Sequence, residues 1–440
     1  MGSSPRLGIL LLAVSLAGVA FHGAPACAAA GDVIWERAAP EGVGGFGANV
    51  EGAGDVDGDG KDDVLVNGVV ADQGTYRGVV FVLSGGDGST LRTYRGTPPR
   101  PFSALLRTMH PAGDFDHDGI PDFLLGGQGG EVHPGEGVEP GYLAVVSGKA
   151  SCNGTVLTGD CSQAANECIL LHVCGIPGEG FGYVTALAGD IDGDGVQDVL
   201  EGYPHRAQPV RLYSGADGSL LGSADSDYGE LGYSVAGLGD ITGDGIPDFA
   251  AGGRLLLMPQ IGAMVRSAGV LYVYSGADFS IIRKFQGKHN DALGSSIANA
   301  GLVDGDNVPD MVYGIPGRDL RGVTDSGQIV IVSGRTGKKI SSASARGAAM
   351  WGKMGSSVAA LGDLDGDGAG DVAAGGVGVG AYSGDCGCGI LISDRSEANA
   401  SGWKTVGAAD VTGDGHNELI VGAPYTTAPP GGIVRILELR

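Results

Sequence analysis

The run Asp55-Val56-Asp57-Gly58-Asp59-Gly60-Lys61-Asp62-Asp63, followed directly by Val64-Leu65-Val66, decides how this chain is read. Its counterpart Asp114-Phe115-Asp116-His117-Asp118-Gly119-Ile120-Pro121-Asp122 leads in the same way into Phe123-Leu124-Leu125. Further copies begin at Asp190, Asp240, around Leu302, at Asp363 and at Asp410. Acids at loop positions 1, 3, 5 and 9 gather hard oxygen donors around one point, which is what a calcium ion requires. A return every ~45–75 residues marks a repeat fold. The loop therefore predicts a metal and an architecture together.

Superposing the copies exposes a unit. A glycine-containing opening (Phe46-Gly47, Phe181-Gly182, Leu231-Gly232, Leu293-Gly294, Met354-Gly355, Ser401-Gly402) leads into an alternating segment such as Tyr233-Ser234-Val235-Ala236-Gly237-Leu238. The acidic loop then turns the chain into a second strand ending in glycines, as in Phe249-Ala250-Ala251-Gly252-Gly253. A third strand alternates most clearly, as in Val270-Leu271-Tyr272-Val273-Tyr274, and closes on Ser-Gly at Ser84-Gly85, Ser275-Gly276 and Ser333-Gly334. A turn such as Gly86-Asp87-Gly88 leads to a more polar fourth strand, Leu91-Arg92-Thr93-Tyr94. Four antiparallel strands per unit make a propeller blade. The last unit has its third strand at Ile433-Val434-Arg435-Ile436-Leu437 and no fourth, while Val33-Ile34-Trp35-Glu36-Arg37 precedes the first unit as an orphan. Pairing the two completes a seventh blade and leaves no open edge. The expected fold is all-β: a seven-bladed propeller of four-stranded antiparallel blades, its ring closed by the N-terminal strand.

The Phe-Gly opening, the Asp-x-Asp-Gly-Asp-Gly-x-x-Asp loop and Val421-Gly422-Ala423-Pro424 resemble the FG-GAP repeat. That repeat builds the seven-bladed propeller at the head of integrin α subunits and of related bacterial exported proteins. The resemblance covers nearly all of the chain beyond its first thirty residues. It implies calcium bound in the loops, with the carbonyls at position 7 (Lys61, Ile120, Val196, Ile246, Ala369, His416) as further ligands. Leg domains and a membrane span are not recognisable here, so full integrin function is not implied.

Loops one, two, three and six carry four acids each: Asp55, Asp57, Asp59 and Asp63; Asp114, Asp116, Asp118 and Asp122; Asp190, Asp192, Asp194 and Asp198; Asp363, Asp365, Asp367 and Asp371. Loops four and seven place Thr242 and Thr412 at position 3, beside Asp240, Asp244, Asp248 and Asp410, Asp414, Glu418. Loop five keeps Asp304, Asp306 and Asp310 but has Leu302 at position 1 and Asn307 at position 6, so it is expected to bind most weakly or not at all. An EF-hand would need a bidentate Glu at position 12, where Val66 and Leu125 stand within strand patterns. Metal-free Asx-turns would also favour Asp and Gly, but four converging carboxylates without a cation repel one another. Magnesium prefers an octahedral site with retained waters, and zinc prefers His and Cys, of which the loops hold only His117 and His416. The expectation is about four to seven calcium ions in a structural role.

Residues 1–30 read as a secretory signal: Arg6, an apolar stretch from Leu7 to Val19, and small residues at Ala26-Cys27-Ala28 or Ala28-Ala29-Ala30. A lipoprotein anchor on Cys27 is the alternative. Residues 31–440 then form the propeller, with a cysteine-rich insertion at about 150–175. Its cysteines allow local pairs 152–161 and 168–174, whereas Cys386-Gly387-Cys388 is too tight for a relaxed bridge. No later segment reaches the roughly 20 apolar residues of a membrane-spanning helix. The formal net charge of −24 sits largely in the loops and offers no basic footprint for nucleic acid. The protein is expected to be secreted, in the periplasm or at the cell surface.

No Gly-x-Ser-x-Gly elbow, P-loop or His-Glu-x-x-His is present. The contact surface is expected in the segments between second and third strands: 67–77, 126–141, 202–209, 254–268 and 422–432. Within them, the apolar stretch 255–261, His133, His205 and Tyr425 are candidate contacts, with Tyr313 nearby. Trp351 and Trp403 are expected between blades. The reading is calcium-dependent binding or adhesion to an extracellular protein or matrix ligand, without catalysis. The alternatives are a glycan-binding lectin and a polysaccharide lyase or hydrolase, whose carboxylates would come from Glu131, Glu136, Asp227 or Asp319.

Overall fold

A computed structural model describes residues 32–72, 75–96, 106–128, 140–158, 163, 165–176, 180–204, 208–225, 230–254, 268–320, 322–344, 352–392, 405–426 and 431–438. It is a seven-bladed β-propeller, each blade built on four antiparallel strands. In blade 1 the strands are Val50–Gly54, Asp63–Asp72, Thr75–Leu83 and Thr90–Gly96. Blade 2 has Leu106–Gly113, Asp122–Gly127, Tyr142–Val146 and Ile169–Cys174. Blades 3 to 6 open with Val184–Gly189, Glu230–Gly239, Ile297–Gly301 and Ser357–Gly362. First strands touch at all seven junctions, including Thr405–Ala409 of blade 7 against Val50–Gly54.

Blade 7 is completed as expected. Asp32–Ala38 pairs antiparallel with Ile433–Glu438, Arg37 opposite Val434. The same strand reaches into blade 1: the Trp35 indole donates to the Gly85 carbonyl at 2.7 Å, and the Arg37 guanidinium donates to the Thr90 hydroxyl at 2.9 Å. Glu36 pairs with Arg435 across the closure.

Alternation explains why the inner strands read as continuous apolar runs. Leu65, Val80 and Val82 of blade 1 pack with Phe123, Leu125 and Tyr142 of blade 2. Val64, Val66, Val79 and Phe81 face the other way, onto Ile420, Val434 and Ile436 of blade 7. Successive side chains thus enter different inter-blade cores, and neither face is left for water.

Three expectations need correction. The supposed contact segment 67–77 is largely strand, since the pairing of blade 1 runs out to Asp72 opposite Thr75 and is flanked by Val43–Gly44. The stretch 150–175 is less an insertion than part of two blades. Val156–Leu157 adds a parallel strand to the outer edge of blade 1, and Ile169–Cys174 is the fourth strand of blade 2. Its disulfide joins Cys152 to Cys168, so the pairs 152–161 and 168–174 do not form. The packing of both strands brings those two sulfurs together, information that spacing alone lacks. The structure also joins Cys386 to Cys388. Cys161, Trp351 and Trp403 lie outside the described residues. No helix among the described residues is long and apolar enough to cross a membrane.

Candidate metal centres

Six of the seven acidic loops are launched by a β-bulge. Gly54, Gly113, Gly189, Gly239, Gly301 and Gly362 precede the loops with φ between +67° and +89°, and pairing shifts by one residue beside each. A side chain resists that left-handed conformation, which explains glycine there. Blade 7 has Ala409 instead and pairs without a shift, Ala409 opposite Glu418.

Within loop one, Asp55 caps the turn: Oδ1 accepts the amide of Gly58 at 2.7 Å and Oδ2 that of Gly60 at 2.9 Å. Loops two, three, four, six and seven repeat the second bond through Asp114, Asp190, Asp240, Asp363 and Asp410. Leu302 of loop five cannot. The acid at position 9 is the anchor. Asp63 accepts the Val56 amide at 2.9 Å and the Gly85 amide, just past the third strand, at 3.0 Å. Asp122, Asp198, Asp248, Asp310 and Asp371 do the same with Gly148, Gly215, Gly276, Gly334 and Gly384. Glu418 accepts from Val411 at 2.9 Å. All seven are buried while the rest of each loop is largely exposed.

These acids are disfavoured as bare ions. Burial pushes the carboxyls of Asp63 and Glu418 up to about 7, and those of Asp122 and Asp371 up to about 6, with the neighbouring loop acids adding repulsion. Asp198, Asp248 and Asp310 are raised for the same first reason. A divalent cation would offset both costs.

Five loops bring three acids together with ligand oxygens within 4.8 Å of one another: Asp55/Asp57/Asp63, Asp114/Asp116/Asp122, Asp190/Asp192/Asp194, Asp304/Asp306/Asp310 and Asp363/Asp365/Asp371. This all-oxygen donor set fits a hard cation such as calcium. In loop three the described triad leaves Asp198 out, and loop five converges despite its missing first acid. Loops four and seven form no such triad among the described residues. There the Thr242 hydroxyl turns onto Asp240 at 3.3 Å, and the Thr412 hydroxyl onto Glu418 at 3.4 Å.

One position escaped the sequence reading, the residue after each Ser-Gly that ends a third strand. Because the glycine amide is tied to the position-9 acid, the next residue stands over the loop. It is Gly86, Lys149, Ala216, Ala277, Arg335 and Asp385 in blades 1 to 6. Lys149 Nζ lies 2.9 Å from Asp116 and 2.7 Å from Asp118, and the Arg335 Nε lies 2.8 Å from Asp306. The signal was a change of charge at a fixed offset from a repeated Ser-Gly.

The acidic loops and the Ser-Gly turns share one rim of the ring. The openings and the connections between second and third strands occupy the opposite rim. There Tyr425 is exposed and Tyr313 is buried in the core between blades 4 and 5, so Tyr313 is not a contact residue. His133, His205, the stretch 255–261, Glu131, Glu136 and Asp227 lie outside the described residues, and Asp319 accepts the Asp325 amide at 2.8 Å.

Residues 402–437 match the FG-GAP repeat family. Chicken (Gallus gallus) integrin alpha-V is 29% identical over 203 residues, covering 40% of this chain and 19% of that protein. The chain therefore spans well under two thirds of that relative's length. Two solved structures of BBS1N in complex with ARL6DN, one soaked with lead and one with mercury, superpose with TM-scores of 0.53 and 0.52. They cover 94% and 93% of this chain, and 98% and 97% of their own, at 9% and 10% identity, which speaks for the fold alone. The chain is a seven-bladed propeller whose last repeat matches the FG-GAP family and which is similar in part to integrin alpha-V.

Proposed function

We propose that this propeller is an exported binding module whose acidic loops hold calcium as structural ions, and whose opposite rim meets an extracellular protein or matrix ligand. The convergence of loop carboxylates around buried position-9 acids carries the calcium reading. In this role Asp55, Asp57, Asp59, Asp63 and their counterparts are ligands, and the position-7 carbonyls complete the shell. Binding calcium removes carboxylate repulsion and ties the second strand of a blade to its Ser-Gly turn. The ion thereby stiffens the acid rim while the far rim stays free to vary. The likeness to integrin alpha-V supports adhesion over catalysis, with secretion as its setting.

The test is binding of the mature protein to immobilised matrix proteins and to a glycan array, in calcium and in chelator. Saturable calcium-dependent capture by a protein ligand supports the proposal. Capture by glycans alone replaces it with a lectin, and turnover of an extracellular polysaccharide replaces it with an enzyme.

A further inference from the structure

We infer that Lys149 and Arg335 are built-in counter-cations that take the place of a divalent ion in loops two and five, so that the seven loops are not equivalent calcium sites. The inference rests on the calcium reading above and adds which loops escape it.

In blades 1 to 6 the glycine just past the third strand donates to the position-9 acid, 3.0 Å for Gly148 to Asp122 and 2.9 Å for Gly334 to Asp310. The following side chain is thus delivered over its loop in each of these six blades. In blade 2 the Lys149 ammonium bridges the acids at positions 3 and 5, Asp116 and Asp118. These are the oxygens a calcium ion would have to share. In blade 5 the Arg335 guanidinium holds Asp306, the position-5 acid, through its carboxylate and its own carbonyl, each at 2.8 Å. A divalent ion entering either loop must displace a cation or sit beside it, and like charges at such range repel. These two loops also lack a glycine that the first loop has, while keeping its left-handed backbone. His117 takes φ +61° where loop one has Gly58, and Asn307 takes φ +60° where it has Gly60. Blade 6 is the opposite case, with Asp385 adding a further negative charge near Asp365. The order of calcium affinity should therefore place loop six first and loops two and five last.

The experiment is equilibrium dialysis of the full mature protein against about 1 mM calcium, with bound metal counted per chain. Lys149→Ala and Arg335→Ala are each expected to raise the count by about one ion, a gain that Asp116→Asn or Asp306→Asn then removes. The reverse variant is Gly86→Lys. A Cβ at Gly86 meets Asp59 Oδ2 at 3.5 Å and Lys61 Nζ at 3.8 Å, both ordinary contacts, so a lysine there puts a second ammonium beside Asp59 and should lower the count by about one. Calcium bound by the wild type at a count that none of these variants changes overturns the inference alone. A wild type that binds no calcium overturns the calcium reading with it.

Discussion

At the residue scale, positions 3 and 9 of one loop should behave differently, because the structure gives them different work. Asp63 is buried and accepts two backbone amides, whereas Asp57 is exposed and, among the described residues, accepts the Asp59 amide alone, at 3.2 Å. Asp63→Ala strands two amides, at about 1–3 kcal/mol each, and should destabilise the protein in calcium and in chelator alike. Asp57→Ala should cost stability only when calcium is present. Urea unfolding under both conditions measures this, and equal behaviour of the two variants would refute the division of roles. Blade 7 offers a second test. Without a bulge at Ala409, the longer side chain of Glu418 reaches the Val411 amide. Glu418→Asp should lose that bond, about 1 kcal/mol, and Ala409→Gly should recover part of it in a double-mutant cycle. The acids of this site were legible in the sequence, since their spacing names them. The residue after Ser-Gly was not, because its meaning depends on a hydrogen bond between segments about twenty residues apart.

At the element scale, the N-terminal strand is the clasp of the ring. Asp32–Ala38 completes blade 7 and, through Trp35 and Arg37, fastens it to blade 1. Trp35 is only half-buried, so Trp35→Ala should cost less than the 3–5 kcal/mol of a core truncation, about 2 kcal/mol. Thermal unfolding reads this directly, and an unchanged midpoint would mean that the closure contributes nothing. The Cys152–Cys168 bridge spans 16 residues and ties blade 2 to the outer edge of blade 1. Loop-closure entropy for such a span predicts about 3 kcal/mol lost in the Cys152→Ala/Cys168→Ala protein. Strand order and ring closure were readable from repeat period and apolar alternation. The disulfide pairing was not, because it follows from how Val156–Leu157 and Ile169–Cys174 pack, and local spacing says nothing of that.

At the scale of the whole molecule, the position-9 acids couple stability to pH. Their folded-state carboxyls are raised toward 6–7 for Asp63, Asp122, Asp371 and Glu418, above their unfolded values. The metal-free fold therefore binds more protons than the unfolded chain between about pH 4 and 7, and its stability falls as pH rises through that window. In chelator the melting temperature should be higher at pH 5 than at pH 8. In calcium the order should reverse, because ligand carboxylates must be ionised to bind. Two curves with the same slope would contradict the picture of buried acids awaiting a cation.

The structural calcium proposed for the acidic loops can be tested directly. The most direct measurement is a thermal melt of the protein at pH 8, in about 1 mM calcium and in excess chelator, with bound calcium counted in the same sample. The expected result is several ions per chain, about four to five with loops two and five left empty, and a large fall in melting temperature on chelation. An unchanged melt with no calcium bound would contradict it, and the acidic repeats would then be metal-free turns.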